Sequence, residues 1–231
     1  MHLLDNVIWN ALNTSQSHLG VSHGNARKFR KDVSPLGGFS EVNDEAYDSL
    51  SRLVEVGDRV GLFLDEEPKP PSNWSLVASM PLLQMIHENG GLTPAEATLP
   101  VFHQLGEADV PEMLALTRLT KPGPFATRTR EMGDYFGIRK DGVLVAMAGE
   151  RLRLPGFTEV SAVCTHPNHL GQGHARRLIT LLLGRIQGRG EQVFLHVRED
   201  NLRAVELYER MGFRKRVSRQ YALLSIAADS R

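Results

Sequence analysis

The chain has 231 residues, of which 41% are hydrophobic and 23% charged, with 27 basic and 27 acidic side chains. This apolar content is enough for a buried core and excludes wholesale disorder or a small disulfide-dependent scaffold, while zero net charge argues against a dedicated nucleic-acid binder. Residues 1–150 carry 13 basic and 20 acidic side chains, whereas residues 151–231 carry 14 basic and 7 acidic side chains. The basic C-terminal third suits either a polyanionic small molecule or contact with the acidic N-terminal part.

The first twenty residues contain an early acid and several polar side chains, where a signal peptide needs a basic start and an unbroken apolar run. No stretch approaches the roughly 20 apolar residues of a membrane span. The single cysteine, Cys164, excludes an intramolecular disulfide, and no paired Cys/His spacing indicates a structural zinc site. We therefore expect a cytoplasmic protein with no metal, no membrane contact and no nucleic-acid partner.

Residues 1–95 are predicted to form an N-terminal α/β segment of unassigned role. Leu4, Ile8 and Leu12 recur at fourfold spacing and predict an amphipathic helix, and Arg59–Leu64 predicts a strand. The stretch 65–73 contains three prolines and three acids, which exclude a helix or a central strand. A second break consists of Gly90, Gly91 and Pro94.

Residues 96–231 are predicted to form a second domain of mixed α/β (α+β) class. Its predicted strands are Leu99–Gln104, Tyr135–Arg139, Val143–Leu152, Thr158–Thr165, Val193–Val197 and Gln220–Ser225. Its predicted helices are Asp109–Leu119, a helix with apolar positions from Ala175 to Ile186, and Asn201–Met211. Asp141-Gly142 is typical of a tight hairpin turn. The order is therefore hairpins followed by a β-loop-α-β-α-β unit.

The loop after Thr165 is a candidate anion site. Gly171 and Gly173 let the backbone approach a ligand closely, and the following helix N-terminus adds partial positive charge. Arg176 and Arg177 add full charges. The same loop could also bind nothing and serve only as a connection.

A dinucleotide-binding loop is a second interpretation, because Glu199 and Asp200 end the next strand, where a ribose-binding acid would lie. Two features disfavour it. The third glycine of that motif is replaced by Arg176, and a five-residue segment separates the strand from the first glycine. A Walker loop is excluded, because no Gly-Lys-Ser/Thr follows.

Residues 159–213 resemble the core of the GCN5-related N-acetyltransferases (GNAT), in the FR47-like branch. The family loop reads Gln/Arg-x-x-Gly-x-Gly/Ala, which Gly173 and Ala175 match, whereas Leu170 replaces the usual Gln or Arg. The second family block, Asn-x-x-Ala-x-x-Leu-Tyr-x-x-x-Gly-Phe, is matched by Asn201, Ala204, Leu207, Tyr208, Gly212 and Phe213. The resemblance implies a mixed, mostly antiparallel central sheet flanked by helices, and it extends back to about Leu99.

The resemblance implies acetyl-CoA as co-substrate and no metal. Backbone groups of Val163, Cys164 and Thr165 would hold the pantetheine arm, because in this family that strand separates from the next. The expected pyrophosphate-binding residues are Leu170, Gly171, Gln172, Gly173, His174, Ala175 and Arg176. Asn201 and Ala204 would also contact the coenzyme, although Asn201 is equally explained as a helix N-cap.

The resemblance also implies an acid and a base. Tyr208 would protonate the departing thiolate, or it is only a core aromatic. Glu159 would be the general base, sharing a strand face with Val163, or it is a solvated edge carboxylate. Glu150 and His196 are further base candidates. Cys164 is interpreted as a core residue, because the family transfers the acyl group directly to an amine.

The predicted function is transfer of an acetyl group from acetyl-CoA to a primary amine of a small molecule. One alternative is a protein lysine or N-terminus as the acceptor, and another is a non-catalytic coenzyme-binding sensor or interaction module. The acceptor pocket is expected from the irregular segment 117–134, with a contribution from the N-terminal segment. Arg128 and Arg130 could bind an acceptor carboxylate, or they are solvated charges. The acceptor, the acyl chain length and the oligomeric state are not indicated.

Overall fold

The structure is a computed structural model that describes residues 2–88 and 101–227. The helices in these ranges are α1 (Val7–Asn13), α2 (Asp44–Ser51), α3 (Val110–Thr120), α4 (His174–Gly188) and α5 (Leu202–Arg210). The strands are β1 (Gly20–His23), β2 (Ala26–Phe29), β3 (Gly37–Phe39), β4 (Arg59–Leu64), β5 (Trp74–His87), β6 (Phe102–Gln104), β7 (Tyr135–Lys140), β8 (Val143–Leu154), β9 (Phe157–Thr165), β10 (Gln192–Arg198) and β11 (Phe213–Ile226).

A large sheet of eight strands organises the fold, in the order β4-β11-β5-β10-β9-β8-β7-β6. Its pairs are antiparallel except for β9 and β10, which run parallel. A short antiparallel sheet, β1-β2-β3, accompanies it. The predicted fold class, a mixed and mostly antiparallel sheet flanked by helices, is confirmed.

Helices cover both faces of the large sheet. On one face, α4 and α5 pack with residues of β5, β9 and β10 in a single core cluster, because α4 presents an apolar stripe at helical spacing. On the other face, α1 packs with Leu152, Leu154 and Phe194, and α3 packs with Tyr135 and Cys164. No helix in the described ranges is long and apolar enough to cross a lipid bilayer.

Strands from both predicted domains form the large sheet. β5 belongs to the predicted N-terminal segment, yet it lies between β10 and β11. The predicted boundary at residues 95 and 96, and the break at Gly90, Gly91 and Pro94, lie outside the described residues. The division into two domains stays a prediction, whereas the shared sheet is observed.

The elements that were predicted agree closely with the structure, apart from the start of β11. Arg59–Leu64 is reproduced residue for residue, the stretch 65–73 forms neither helix nor strand, and Asp141 and Gly142 adopt the positive φ angles of a tight hairpin turn. For the first strand after residue 96, Phe102–Gln104 is observed, while Leu99 and Pro100 lie outside the described residues. The prediction missed β1, β2, β3, α2 and β5, and β11 begins seven residues before its predicted start at Gln220.

Candidate active site

The parallel strands β9 and β10 pair at only three positions, the last being Glu159 opposite Phe194. β9 continues to Thr165, and β10 continues to Arg198 because it stays paired with β5. The two strands therefore separate beyond Glu159. Val163, Cys164 and Thr165 lie in the separated part of β9, where backbone N–H and C=O groups can face a ligand instead of a neighbouring strand.

A β-bulge at Ala162 changes which side chains of β9 share a face. Ala162 has a φ of 52°, and β9 places two residues, Ala162 and Val163, opposite the single residue Ala148 of β8. As a result, Val160 and Val163 both pack towards α4, whereas Ala162 packs towards α3. The expectation that Glu159 and Val163 share a face is wrong, because it assumed an unbroken alternation along the strand.

The loop before α4 has the geometry of an anion cradle. Gly171 and Gly173 adopt φ angles of 76° and 74°, which L side chains rarely adopt. A Cβ atom at either glycine would meet nothing within 4 Å, so the loop faces open space. The Arg177 amide donates a hydrogen bond to the Gly173 carbonyl at 3.1 Å. The backbone amides of α4 that precede Arg177 form the partially positive N-terminus of the helix. These residues fit the diphosphate of a coenzyme.

The first turn of α4 is basic, which helix stability does not explain. Arg176 and Arg177 lie there, and the turn contains no acid, although negative side chains are favoured at this end of a helix. His174 is buried, and neither of its ring nitrogens has a partner among the described residues. Burial, reinforced by Arg177 and Lys140, lowers the pKa of His174. The positive charge at this helix start suits an anionic ligand.

Two residues of the second motif block lie at the ends of α5: Asn201 directly precedes the helix, and Tyr208 lies in its last turn. Asn201 caps the helix, because its Oδ1 accepts from the Ala204 amide at 3.3 Å. Tyr208 packs in the core cluster shared with α4, with its ring 5.8 Å from that of Phe213. Burial raises the pKa of Tyr208 to about 12. The phenol therefore keeps its proton at neutral pH and is in the form that can donate it.

Glu159 lies in a buried polar network and is fully inaccessible to solvent. Its carboxylate accepts from Arg151 Nε at 2.8 Å and Nη2 at 2.6 Å, and His196 Nδ1 lies 2.7 Å away. Burial alone would raise the pKa of Glu159, but Arg151 and His196 outweigh it and lower the pKa to about 2. The solvated-edge alternative is wrong. Both oxygens are also occupied by protein groups. The network residue that lines the cavity described below is His196, whose side chain is 2% exposed.

The hydrogen bonds around His196 assign its tautomer. Gln84 Oε1 accepts from Arg216 at 2.8 Å, and Gln84 Nε2 donates to the Leu4 carbonyl at 3.0 Å. The same amide nitrogen lies 3.1 Å from His196 Nε2. With Nδ1–H donated to the carboxylate of Glu159, Nε2 is the acceptor of a neutral imidazole. Nε2 therefore carries the lone pair on the side away from Glu159.

A cavity of about 530 Å³ opens beside His196. Its wall combines three segments of the N-terminal region, residues 4–8, 37–42 and 62–69, with four single residues. These four are Tyr47, Gln84, His196 and Arg219. The cavity meets the separated strands at His196, on the face of the sheet opposite Tyr208.

The segment 117–134, the expected source of the acceptor pocket, contributes nothing to this cavity wall. Arg128 contacts Glu131 at 2.7 Å and Asp32 at 3.0 Å, and Arg130 contacts Glu107 at 3.3 Å. Both arginines form ion pairs at the surface, where the side chain of Arg128 is 41% exposed and that of Arg130 is 28% exposed. A role in binding an acceptor carboxylate stays a prediction.

The comparisons with known proteins bear directly on this site. A family model described as FR47-like protein matches residues 135–222, which include the separated strands, the glycine loop and both motif blocks. A crystal structure assigned to the GNAT acetyltransferase family, from Novosphingobium aromaticivorans DSM 12444, is 38% identical and covers 99% of this chain and 100% of its own, with a TM-score of 0.90. The chain belongs to the GNAT family.

Two more GNAT relatives show how far the likeness extends. The N-alpha-acetyltransferase RimI of Mycobacterium tuberculosis is 41% identical over 101 residues, 41% of this chain and 63% of the relative, so the match spans less than two thirds of that protein. A GCN5-related N-acetyltransferase structure from Kribbella flavida, 18% identical with a TM-score of 0.59, covers 95% of this chain and 96% of its own and shows the same fold.

The GNAT motifs and the cavity occupy different parts of the chain. The FR47-like match begins at residue 135 and includes Arg151, Glu159 and His196. Gln84, Tyr47 and every segment of the cavity wall precede it. Sequence reasoning missed Arg151, Gln84 and Arg216, and the one available signal was a polar residue within an apolar strand, as in Gln84 of the run PLLQMIH.

Proposed function

We propose that this GNAT chain transfers the acetyl group of acetyl-CoA to a primary amine of a small molecule. The observation that carries the proposal is the separation of β9 and β10 directly before the glycine loop. Acetyl-CoA supplies a thioester for attack and a diphosphate for recognition. The loop from Leu170 to Arg176 would hold the diphosphate, and the backbone of Val163, Cys164 and Thr165 would hold the pantetheine arm and polarise the thioester carbonyl.

Two side chains on opposite faces of the sheet, His196 and Tyr208, would carry out the proton transfers. His196 would take one proton from the substrate ammonium at Nε2, where the amine replaces the Gln84 N–H. The amine nitrogen then attacks the carbonyl carbon, and the C–S bond breaks. Tyr208 would give its hydroxyl proton to the thiolate and recover one from the new amide nitrogen. One proton per turnover leaves through His196, so the reaction balances.

Glu159 would act through His196 as a positioning residue. Its carboxylate holds Nδ1–H at 2.7 Å and thereby directs the Nε2 lone pair away from itself. The bidentate contact with Arg151 fixes the carboxylate in turn. This role keeps Glu159 in the catalytic apparatus without requiring a free oxygen on it.

The test is thiol release from acetyl-CoA over a panel of small primary amines, together with calorimetric titration of the coenzyme. We expect amine-dependent thiol release and a saturable coenzyme site. Coenzyme binding without turnover on any amine would favour the sensor alternative. Absence of coenzyme binding would refute every coenzyme-based function.

A protein N-terminus is the second candidate acceptor, and the 41% identity to RimI over 101 residues favours it. Peptides with a free N-terminus, with a blocked N-terminus and with an internal lysine belong in the same panel. Turnover of the free N-terminus alone, at a rate above that of every small amine, would replace the small-molecule proposal with this one.

A further inference from the structure

Apart from His196 and Arg219, the residues that line the cavity precede the FR47-like match, in a region to which no role is assigned. Its volume of about 530 Å³ lies in the range typical of small-molecule sites. His196 and Gln84 belong both to the cavity wall and to the buried polar network. The cavity is therefore placed to deliver a ligand to the imidazole.

The Tyr47 hydroxyl is an unsatisfied polar group at this cavity. Tyr47 is 3% exposed and lines the cavity, and its hydroxyl has no hydrogen-bond partner among the described residues. A buried hydroxyl without a partner is costly relative to one in water. A ligand that offers a hydrogen bond would remove that cost, so the hydroxyl points to an occupant with a polar group.

The charges around the cavity are unequally compensated. Arg219 contacts both Asp5 and Asp65 and so compensates two of the five acids in the cavity wall. At the mouth, by contrast, three exposed glutamates make no ion pair within the described chain, and one lysine accompanies them. The glutamates are Glu41, Glu66 and Glu67, and the lysine is Lys69. The mouth therefore carries an excess of negative charge, which attracts cations.

We propose that this cavity is the acceptor site and that it selects a diamine, with one amine at His196 and a second, cationic amine near the mouth glutamates and the Tyr47 hydroxyl. The part of the proposal that concerns acetylation rests on the proposed function. The cavity's preference for a second cation does not, because it follows from the wall residues alone.

The preference is tested with three four-carbon probes that differ in one terminal group. These probes are 1,4-diaminobutane, butylamine and 4-aminobutanoate, whose second ends are cationic, neutral and anionic. Calorimetric titration of the full chain should show tightest binding for the diamine, about tenfold weaker binding for butylamine and weaker still for the amino acid. Equal affinity for the three probes, or no binding of any, would overturn the proposal.

Matched variants locate the preference in the cavity wall. The double variant Glu66→Gln/Glu67→Gln should weaken diamine binding about three- to tenfold and change butylamine binding less than twofold. Glu45→Gln is the control, because Glu45 is exposed on α2 but is not part of the wall. An equal loss for both probes, or an equal effect of the control, would contradict a charge-based preference.

Kinetics separate this proposal from the proposed function. If the same probe order appears in kcat/KM for thiol release, both stand. If the diamine binds selectively but no amine is acetylated, the proposed acetyl transfer is contradicted and the proposed cation site is supported. If amines are acetylated with no preference for the diamine, the proposed cation site is contradicted and the proposed acetyl transfer is supported.

Discussion

The two sides of the separated strands are built in different ways. The coenzyme side, with the glycine loop and Tyr208, comes from one continuous stretch of sequence after residue 157. The acceptor side joins three residues that are distant in the sequence. Gln84 contacts Leu4, which lies 80 residues before it, and His196, which lies 112 residues after it. The proposed coenzyme site is thus a local motif, whereas the proposed acceptor site is assembled by tertiary packing.

This difference also appears in the electrostatics. The coenzyme side concentrates positive charge at the start of a helix, while the acceptor side has the buried pair Arg151–Glu159 next to His196 and an acidic cavity mouth. The zero net charge of the chain therefore conceals two opposite local fields. Each field suits one substrate: a diphosphate on one side and an amine on the other.

The largest expected effect is on the acceptor side, from Glu159→Gln. The substitution leaves the buried Arg151 without its counter-charge, which costs about 3 to 5 kcal/mol of unfolding free energy. We expect a large fall in the urea midpoint and in kcat. The double variant Arg151→Met/Glu159→Leu should regain the midpoint but not kcat, because His196 still lacks its partner. Recovery of both the urea midpoint and kcat in the double variant would contradict the positioning role of Glu159.

The same carboxylate predicts an acid transition. Its pKa falls from an ordinary 4.5 to about 2 on folding, so its stabilisation is complete above about pH 4.5 and is lost as pH falls towards 2. The shift corresponds to about 3 kcal/mol. Urea titrations at pH 7 and pH 3 should show a stability loss in the parent that is smaller in the double variant. An equal loss of stability in the parent and in the double variant would show that Glu159 does not cause the acid transition.

On the coenzyme side, the largest effect is expected from Tyr208→Phe. Loss of the proton donor should lower kcat about 100-fold, with coenzyme affinity unchanged, since the ring still packs against Phe213. Tyr135→Phe is the matched control, because the Tyr135 hydroxyl is also buried but has no partner among the described residues. Its removal should leave kcat unchanged. A parent-like kcat in Tyr208→Phe would refute the acid role.

Arg176→Gln tests the anion cradle through two opposite changes. Coenzyme affinity should fall about tenfold, whereas stability should rise by about 0.5 kcal/mol, because a positive charge leaves the positive end of α4. Arg185→Gln, in the last turn of the same helix, is the control. It should lower stability and leave coenzyme affinity unchanged. If Arg176→Gln lowers both quantities, Arg176 has a structural role rather than a binding one.

The coenzyme side could be predicted from the sequence because its signals are local. Glycine spacing, a helix N-cap and an apolar helix stripe each depend on neighbours within a few residues, and the structure places all three as expected. The bulge at Ala162 could not be predicted, since no glycine or proline marks it. It is stabilised by packing on both sides of β9, and it reversed the expected orientation of Val163 relative to Glu159.

The acceptor side could not be predicted because its signals are non-local. β5 contains Pro81, which argues against a central strand, yet β10 pairs only from Leu82 onward, so the missing N–H costs no bond with that neighbour. After Phe213, β11 continues with the polar run RKRVSRQ, in which Arg216 and Arg219 contact partners in other elements. Alternation of polarity cannot indicate a buried charge whose counter-charge lies over a hundred residues away.

The smallest expected effect concerns the one place where the coenzyme side departs from its family. Leu170 stands where the GNAT loop usually has Gln or Arg, and its side chain is 49% exposed. Because the backbone donors of the loop do not depend on this side chain, the departure should weaken coenzyme binding without abolishing it. Leu170→Gln restores a polar contact, and we expect about threefold tighter coenzyme binding with an unchanged melting temperature.

Leu119→Gln provides the control for that gain, since Leu119 is similarly exposed on α3 and undergoes the same change in polarity. A gain in both variants would reflect a general effect of surface polarity rather than a restored contact. A gain in Leu170→Gln alone would show that the loop still accepts the family's side chain, because Gly171 and Gly173 keep the backbone in the same left-handed conformation. Weaker binding in Leu170→Gln would instead indicate that the leucine itself contacts the coenzyme, and that the apolar residue is an adaptation of this loop.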